Sequence, residues 1–171
     1  MKPKQKDEIT IGLFGTCGNS QWRIPFIEYC ETEKIDYFNP VVPNWDPSFA
    51  VIEAEHLVED EIILFPVTDE TYGTGSLAEV GFSISQALKS NSERFVVIYV
   101  SSKVCDALQE ENPILAKDSN RARALCLAHM KKQKDKYPNV YIVESMDDML
   151  KVTKHLYSAM FSMKKARSFC I

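Results

Sequence analysis

Between Glu70 and Ile84 the chain reads ETYGTGSLAEVGFSI. Two closely spaced glycines, Gly73 and Gly75, lead into a helix-like run that carries a carboxylate, Glu79, near its start. A glycine-rich turn before a helix ordinarily offers backbone N–H groups to an anion, and a carboxylate there repels one. With Asp69 and Glu70 just upstream, the chemistry that suits these acids is stabilisation of a developing cation. A carboxylate beside an oxocarbenium centre, as in the splitting of a glycosidic bond, can screen the charge or capture it covalently. A structural alternative stands beside this one. Ser76-Leu77-Ala78-Glu79 fits the S-x-x-E capping box, in which the glutamate reaches back to the cap amide. Helical phase places Leu77, Val80, Gly81, Ile84, Ala87 and Leu88 on one stripe. Glu79 lies about 200° round from Leu77, off that stripe, and both readings stay open.

Two further loops hold unusual residues. In FGTCGNSQWR, Gly15 and Gly18 bracket Thr16 and Cys17. The spacing matches neither the dinucleotide fingerprint nor a P-loop, which needs a lysine. It suits either a backbone that approaches a ligand or a plain turn capped by Asn19 or Ser20. Cys17 has no histidine nearby in sequence to activate it as a nucleophile. In PNWDP, Pro43 and Pro47 restrict the backbone. Trp45 offers an aromatic face to a ring-bearing ligand, with Asp46 beside it; alternatively Asp46 satisfies local amides.

The elements that must position these loops follow from apolar periodicity. Short runs at Ile9–Phe14, Ile35–Val42, Glu61–Val67, Phe95–Val100 and Val140–Val143 suit strands covered on both faces. Helix-like stretches lie between or after them, at Gln21–Glu33, Phe49–Glu59, Ser76–Ser90, Ser119–Lys134 and Met146–Met163. This alternation predicts an α/β three-layer sandwich, flavodoxin-like, with five parallel strands in the order 2-1-3-4-5. Ligands of such sheets sit beyond the carboxyl ends of the strands. Those ends are Gly15–Ser20, Pro43–Pro47 and Thr68–Gly75, the loops singled out above. No repeat or linker divides the 171 residues, so one domain is expected over residues 1–171, with tails at 1–8 and 164–171.

Composition bounds the partners. Net charge is −4, which argues against nucleic acid or a membrane surface, and no segment approaches the roughly 20 apolar residues of a membrane span. Five scattered cysteines without a C-x-x-C pair read as reduced thiols of a cytoplasmic protein. Three histidines fall in no metal-ligand spacing, and no cofactor is expected.

The run EDEIILFPVTDETYGTGSLAEVGFSI, Glu59 to Ile84, with IGLFGTC at Ile11 to Cys17, resembles the nucleoside 2-deoxyribosyltransferase family, in its deoxyribosyltransferase-like branch. The resemblance implies Glu79 as the nucleophile toward the anomeric carbon. It implies Asp69, with Glu70 as alternative, assisting the departing base, and Glu53, with Glu55 as alternative, as a second acid. Gly15, Thr16, Cys17, Trp45, Asp46, Tyr72, Gly73, Gly75 and Ser76 would line the substrate site. The family's first-strand tyrosine is replaced by Leu13-Phe14, and Tyr72 is the candidate substitute. The implied partner is a small-molecule nucleoside or nucleotide in a homo-oligomer, with ARSFCI at the chain's end reaching a neighbour. Two other functions remain open. One is N-glycosidic cleavage of a nucleoside 5′-monophosphate, with Arg23, Arg121 and Arg123 as phosphate candidates. The other is a non-catalytic nucleotide-sensing module.

Overall fold

The computed structural model describes residues 9–44, 46–90 and 93–169, with the backbone course alone at 82–88, 90, 133 and 134. The apolar runs form β1 (Thr10–Leu13), β2 (Asp36–Phe38), β3 (Ile62–Val67), β4 (Phe95–Val100) and β5 (Val140–Val143). All neighbours pair in parallel, in the order β2-β1-β3-β4-β5, as expected. The helices are α1 (Ile24–Glu33), α2 (Pro47–Glu59), α3 (Thr74–Ser90), α4 (Asp106–Glu111), α5 (Pro113–Gln133) and α6 (Met146–Arg167).

Every residue of β3, IILFPV, is buried, because helices cover both faces of the sheet. Ile62 and Leu64 join Val97, Trp22, Phe26 and the α6 residues Met149, Leu156 and Met160 on one side. Ile63, Phe65 and Val67 join Val96, Ile98 and Val100 on the other, against Leu57 of α2, Leu77 and Val80 of α3 and Cys126, Leu127 and Met130 of α5. Register and alternation thus produce three layers. Pairing of β1 with β3 stops at Leu13↔Leu64, short of Pro66, which has no N–H to donate to a ladder.

α2 is held at its ends more than along its length. Asp46 caps it by accepting from Ser48 N at 2.8 Å, and Pro47 supplies a first-turn residue whose missing N–H costs nothing. At the other end Arg94 donates to the carbonyls of Leu57 and Val58. None of the helix's residues is fully buried, which leaves space beside it.

Several elements differ from the sequence reading: β2 is only Asp36–Phe38 where Ile35–Val42 was expected, and α3 begins at Thr74 ahead of the expected Ser76. The short helix α4 lies where no helix was expected, and α5 starts at Pro113 instead of Ser119, using a proline at its first position. Residues 164–167 are no tail: α6 continues to Arg167. Lys164 Nζ pairs with Glu61 Oε1 at 3.3 Å and Arg167 Nη1 with Glu93 Oε2 at 3.1 Å.

Candidate functional site

Because β1 and β3 are neighbours, the loops leaving their carboxyl ends interlock. Thr16 N donates to Pro66 O at 2.8 Å, Thr16 Oγ1 accepts from Thr68 N at 3.0 Å, and Ser20 Oγ donates to Glu70. Beside this junction, between α2 and α3, lies a cavity of about 160 Å³ lined by Phe14, Ala50, Glu53, Ala54, Leu57, Phe65 and Glu79. Positions 50, 53, 54 and 57 recur at i, i+3, i+4 and i+7, so they share one face of α2. Gly12 gives Phe14 its place in the wall: a Cβ there would stand 2.2 Å from the ring. A second cavity of about 100 Å³ is lined by Phe38, Asn39, Pro40, Val42, Phe49, Ile52 and Glu53. Glu53 borders both.

Both acids of the first cavity hold their protons more tightly than free carboxyls do. Burial raises the pKa of Glu53, and the neighbouring charge of Glu79 raises it further, against the opposing field of Arg23. Burial raises the pKa of Glu79 as well. Arg23 is buried under the end of β1, where Nε donates to Leu13 O at 2.9 Å and Nη1 to Thr16 O at 2.6 Å. Its guanidinium lies 4.5 Å from the Trp22 ring centroid and 3.5 Å from Cys17 Sγ. Burial lowers the Arg23 pKa while Cys17 and Glu53 counter the shift. Arg23 therefore locks the β1 loop and biases the charge of Glu53, and its donors are engaged where a phosphate would need them.

A pH effect follows. The folded chain holds the Glu53 proton more tightly than the unfolded chain does, so stability falls as pH rises from the ordinary carboxylate value of 4.5 through the raised one. The penalty grows as pH rises through that window. Glu53→Gln is expected to raise the thermal midpoint at pH 7 by roughly 1–3 °C, as a sub-kcal/mol gain does at this length. The difference should narrow toward pH 4. Melts across that range check it; a glutamine variant melting below the parent at pH 7 would show that pairing with Arg23 outweighs the repulsion.

Of the expected site residues, the structure brings Glu79 and Glu53 together on one cavity. It places the others elsewhere. Asp69 is exposed, and its main-chain carbonyl accepts from Cys105 N at 3.0 Å. Glu70 is taken up by Ser20 and by Thr68 Oγ1, the latter at 3.2 Å. The Tyr72 hydroxyl donates to Leu108 O at 2.9 Å, so it serves α4 and does not replace a first-strand tyrosine. Thr16 clips the two loops together, Asp46 is the α2 cap, and Ser76 is buried within α3. Cys17 is exposed, with Sγ donating to Gly15 O at 3.4 Å. Glu55 lines neither cavity and is exposed. Trp45 lies outside the described residues.

Gly15 and Gly73 make room for the chain itself. Gly15 has φ +90°, and a Cβ there would stand 2.3 Å from Pro66 O; Gly73, at φ +64°, would place one 2.9 Å from Val67 Cγ1. At Gly75 a Cβ would meet open space. Arg121 is exposed on α5, whereas Arg123 is fully buried and donates to Val67, Ser101, Thr68 and Thr71 carbonyls at 2.8–3.2 Å. Neither is placed as a phosphate contact in these cavities.

The capping-box reading of Glu79 fails on position. α3 starts at Thr74, with Leu77 N donating to Gly73 O at 2.8 Å. Ser76 is already inside the helix and Glu79 a turn and a half beyond its start. Of the expected stripe, Val80 is buried and Leu77 packs on the core, but Gly81 is exposed; the side chains of Ile84, Ala87 and Leu88 lie outside the described ones. The cavity walls Phe14, Ala50, Ala54, Leu57 and Phe65 were not anticipated. Their signal was Ala50-x-x-Glu53-Ala54, small residues flanking an acid on one helical face. Among the described residues, no cluster of three or more His, Cys, Asp or Glu is placed to hold a metal, and no helix is long and apolar enough to cross a membrane.

No known family model matches the chain. Among curated proteins it is similar to salicylate carboxymethyltransferase of Clarkia breweri, 25% identical in an alignment 122 positions long that covers 66% of this chain and 31% of that protein. The chain thus spans about a third of the relative's length. Among solved structures it is similar to the TIR domain heterodimer of RPS4 and RRS1, at TM-score 0.54 and 8% identity, over 90% of this chain and 99% of that one. This corrects the resemblance to the nucleoside 2-deoxyribosyltransferase family, and the transferase and hydrolase assignments drawn from it. A buried strand, an acidic loop, a glycine turn and a helix follow from the β3–α3 unit of the sheet and mark no one family. What the neighbour establishes is the architecture: a five-stranded parallel α/β sheet of TIR-like fold.

Proposed function

We propose that this chain is a nucleotide-handling module that admits a ribosyl group between α2 and α3 and breaks its bond to a cationic heterocycle, as in a nicotinamide dinucleotide. The observation that carries the proposal is the convergence of Glu53 and Glu79, from two helices, on one cavity with Phe14 and Phe65 in its wall. Its volume is close to the roughly 150 Å³ that accepts a single benzene ring and below the range of whole drug-sized ligands. One pentose fits, with the rest of the ligand outside. Glu79 would face the anomeric carbon and stabilise its developing positive charge.

The leaving group follows from what surrounds the acids. Asp69 and the Tyr72 hydroxyl, the other candidate proton donors, point their chemistry elsewhere. A pyridinium needs no proton to depart: it leaves as a neutral ring with the bonding electron pair, and water then adds to the anomeric carbon and gives its proton to solvent. The cationic ring is also attracted to the two carboxylates. The TIR-domain neighbour supports a nucleotide-cleaving or signalling role at the level of fold, and its heterodimer supports self-association of this chain. A second reading, recognition without turnover, is favoured by the positions of Asp69 and Tyr72, neither of which lines the cavity.

Incubating the chain with nicotinamide dinucleotide, nucleoside monophosphates and deoxynucleosides, then separating free bases by chromatography, tests the proposal. Nicotinamide release is expected from the dinucleotide alone, with light scattering of the same sample above the monomer mass. A thermal shift without release favours recognition only. Neither release nor shift with any of them would end both readings.

A further inference from the structure

We infer that the second cavity, bounded by Phe38, Asn39, Pro40, Val42, Phe49 and Ile52, is a subsite for an uncharged or cationic planar heterocycle, separated from the sugar compartment by Glu53. This rests on the proposed reading of the first cavity and adds the other half of the ligand. α2 supplies both compartments. Ala50, Ala54 and Leu57 face one, Phe49 and Ile52 face the other, and Glu53 borders both. A ligand with a ring on one side and a pentose on the other would carry its connecting bond past that carboxylate. The charge that develops when such a bond breaks would arise between Glu53 and Glu79.

The wall is suited to a flat ring. Phe38 is fixed by stacking on His56, with ring centroids 3.7 Å apart and planes at 7°, and by a tilted contact with Phe14 at 5.8 Å. His56 Nδ1 is in turn 3.0 Å from Asp60 Oδ1. On the loop side Asn39 Oδ1 accepts from Val41 N at 3.1 Å, and Pro40 restricts the backbone next to it. Aromatic and aliphatic walls held in place favour a planar ring, since little order remains to be imposed on binding. The volume of about 100 Å³ is somewhat below the roughly 150 Å³ that encloses benzene, so a six-membered ring would enter with one edge outside. Of the lining residues only Glu53 carries a charge. A ring bearing a carboxylate would meet like charge in a partly desolvated space, whereas its carboxamide analogue would not.

Titration of the labelled chain with free nicotinamide and free nicotinic acid, followed by NMR, separates this inference from the cleavage reading. Nicotinamide is expected to shift the resonances of Phe38, Phe49 and Ile52, and nicotinic acid to bind roughly tenfold or more weakly. Ile52 is exposed at the rim, so Ile52→Trp fills the compartment without disturbing the core and should remove nicotinamide binding. Phe49→Leu should weaken it. The inference is overturned by absence of shifts at those positions, by shifts confined to Phe14, Leu57 and Phe65, by unchanged binding in Ile52→Trp, or by equal binding of the two acid–amide analogues. Ring binding that persists where the parent chain cleaves nothing would overturn the cleavage reading alone.

Discussion

Glu79→Gln is expected to lower heterocycle release by about a thousandfold or more while the fold stays intact. The amide is nearly isosteric with the acid but uncharged. It can neither attack the anomeric carbon nor stabilise a cation there, and loss of covalent and electrostatic assistance together removes several kcal/mol from the barrier reduction. The fold has no comparable dependence on this side chain. Glu79 is exposed at the cavity's edge, off the face that buries Val80. It lies too far into α3 to cap it. Partial burial against the cavity wall also disfavours its charged form, so the neutral amide should melt no lower than the parent at pH 7. Stability and activity therefore separate for a reacting carboxylate. A glutamine variant that melts normally and releases base at near the parent rate would remove Glu79 from the chemistry. One that loses activity because it unfolds, seen by circular dichroism, would return it to a structural role.

Arg123→Met should be the most destabilising single change among the residues considered, by about 3–5 kcal/mol. The guanidinium is fully buried and ties the end of β3 to the loop that follows β4. Nη1 donates to Val67 O and Ser101 O, Nη2 to Thr68 O and Thr71 O, and Nε to Ser119 Oγ at 3.1 Å. Methionine fills much of the volume but donates no hydrogen bond, so several buried carbonyls lose their partner at once. The field of Asp69 favours the charge that burial opposes. In a chain of this length the expected loss lowers the melting midpoint by on the order of 10 °C. Arg123→Lys should recover only part of it, since an ammonium cannot reproduce the planar fork. A methionine variant melting within about 2 °C of the parent would show that water satisfies those carbonyls and that the clamp is dispensable.

The order of the sheet was legible because apolar runs such as Phe95–Val100 and Val140–Val143 need no tertiary context. Continuous burial demands helices on both faces, and short parallel crossovers leave few topologies. The acid pair was legible in part: Glu79 by helical phase, Glu53 through a resemblance whose family the structure does not support. The sequence could not decide what the glycines are for. A positive φ at Gly15 or Gly73 looks the same whether the vacated space holds a ligand or the chain, and only packing shows Pro66 and Val67 in it. Nor could it tell a clamp from a surface residue. Arg121 and Arg123 lie two apart on α5, and the helix's rotation against the sheet exposes one and buries the other. The capping box was decided by where α3 begins, at Thr74 directly after Gly73 and two residues ahead of Ser76. Local sequence determined the five strands and the five longer helices, though not α4, because hydrophobic period is a short-range property. The tertiary structure decided which polar groups face a cavity, because that depends on what the opposing element leaves unfilled.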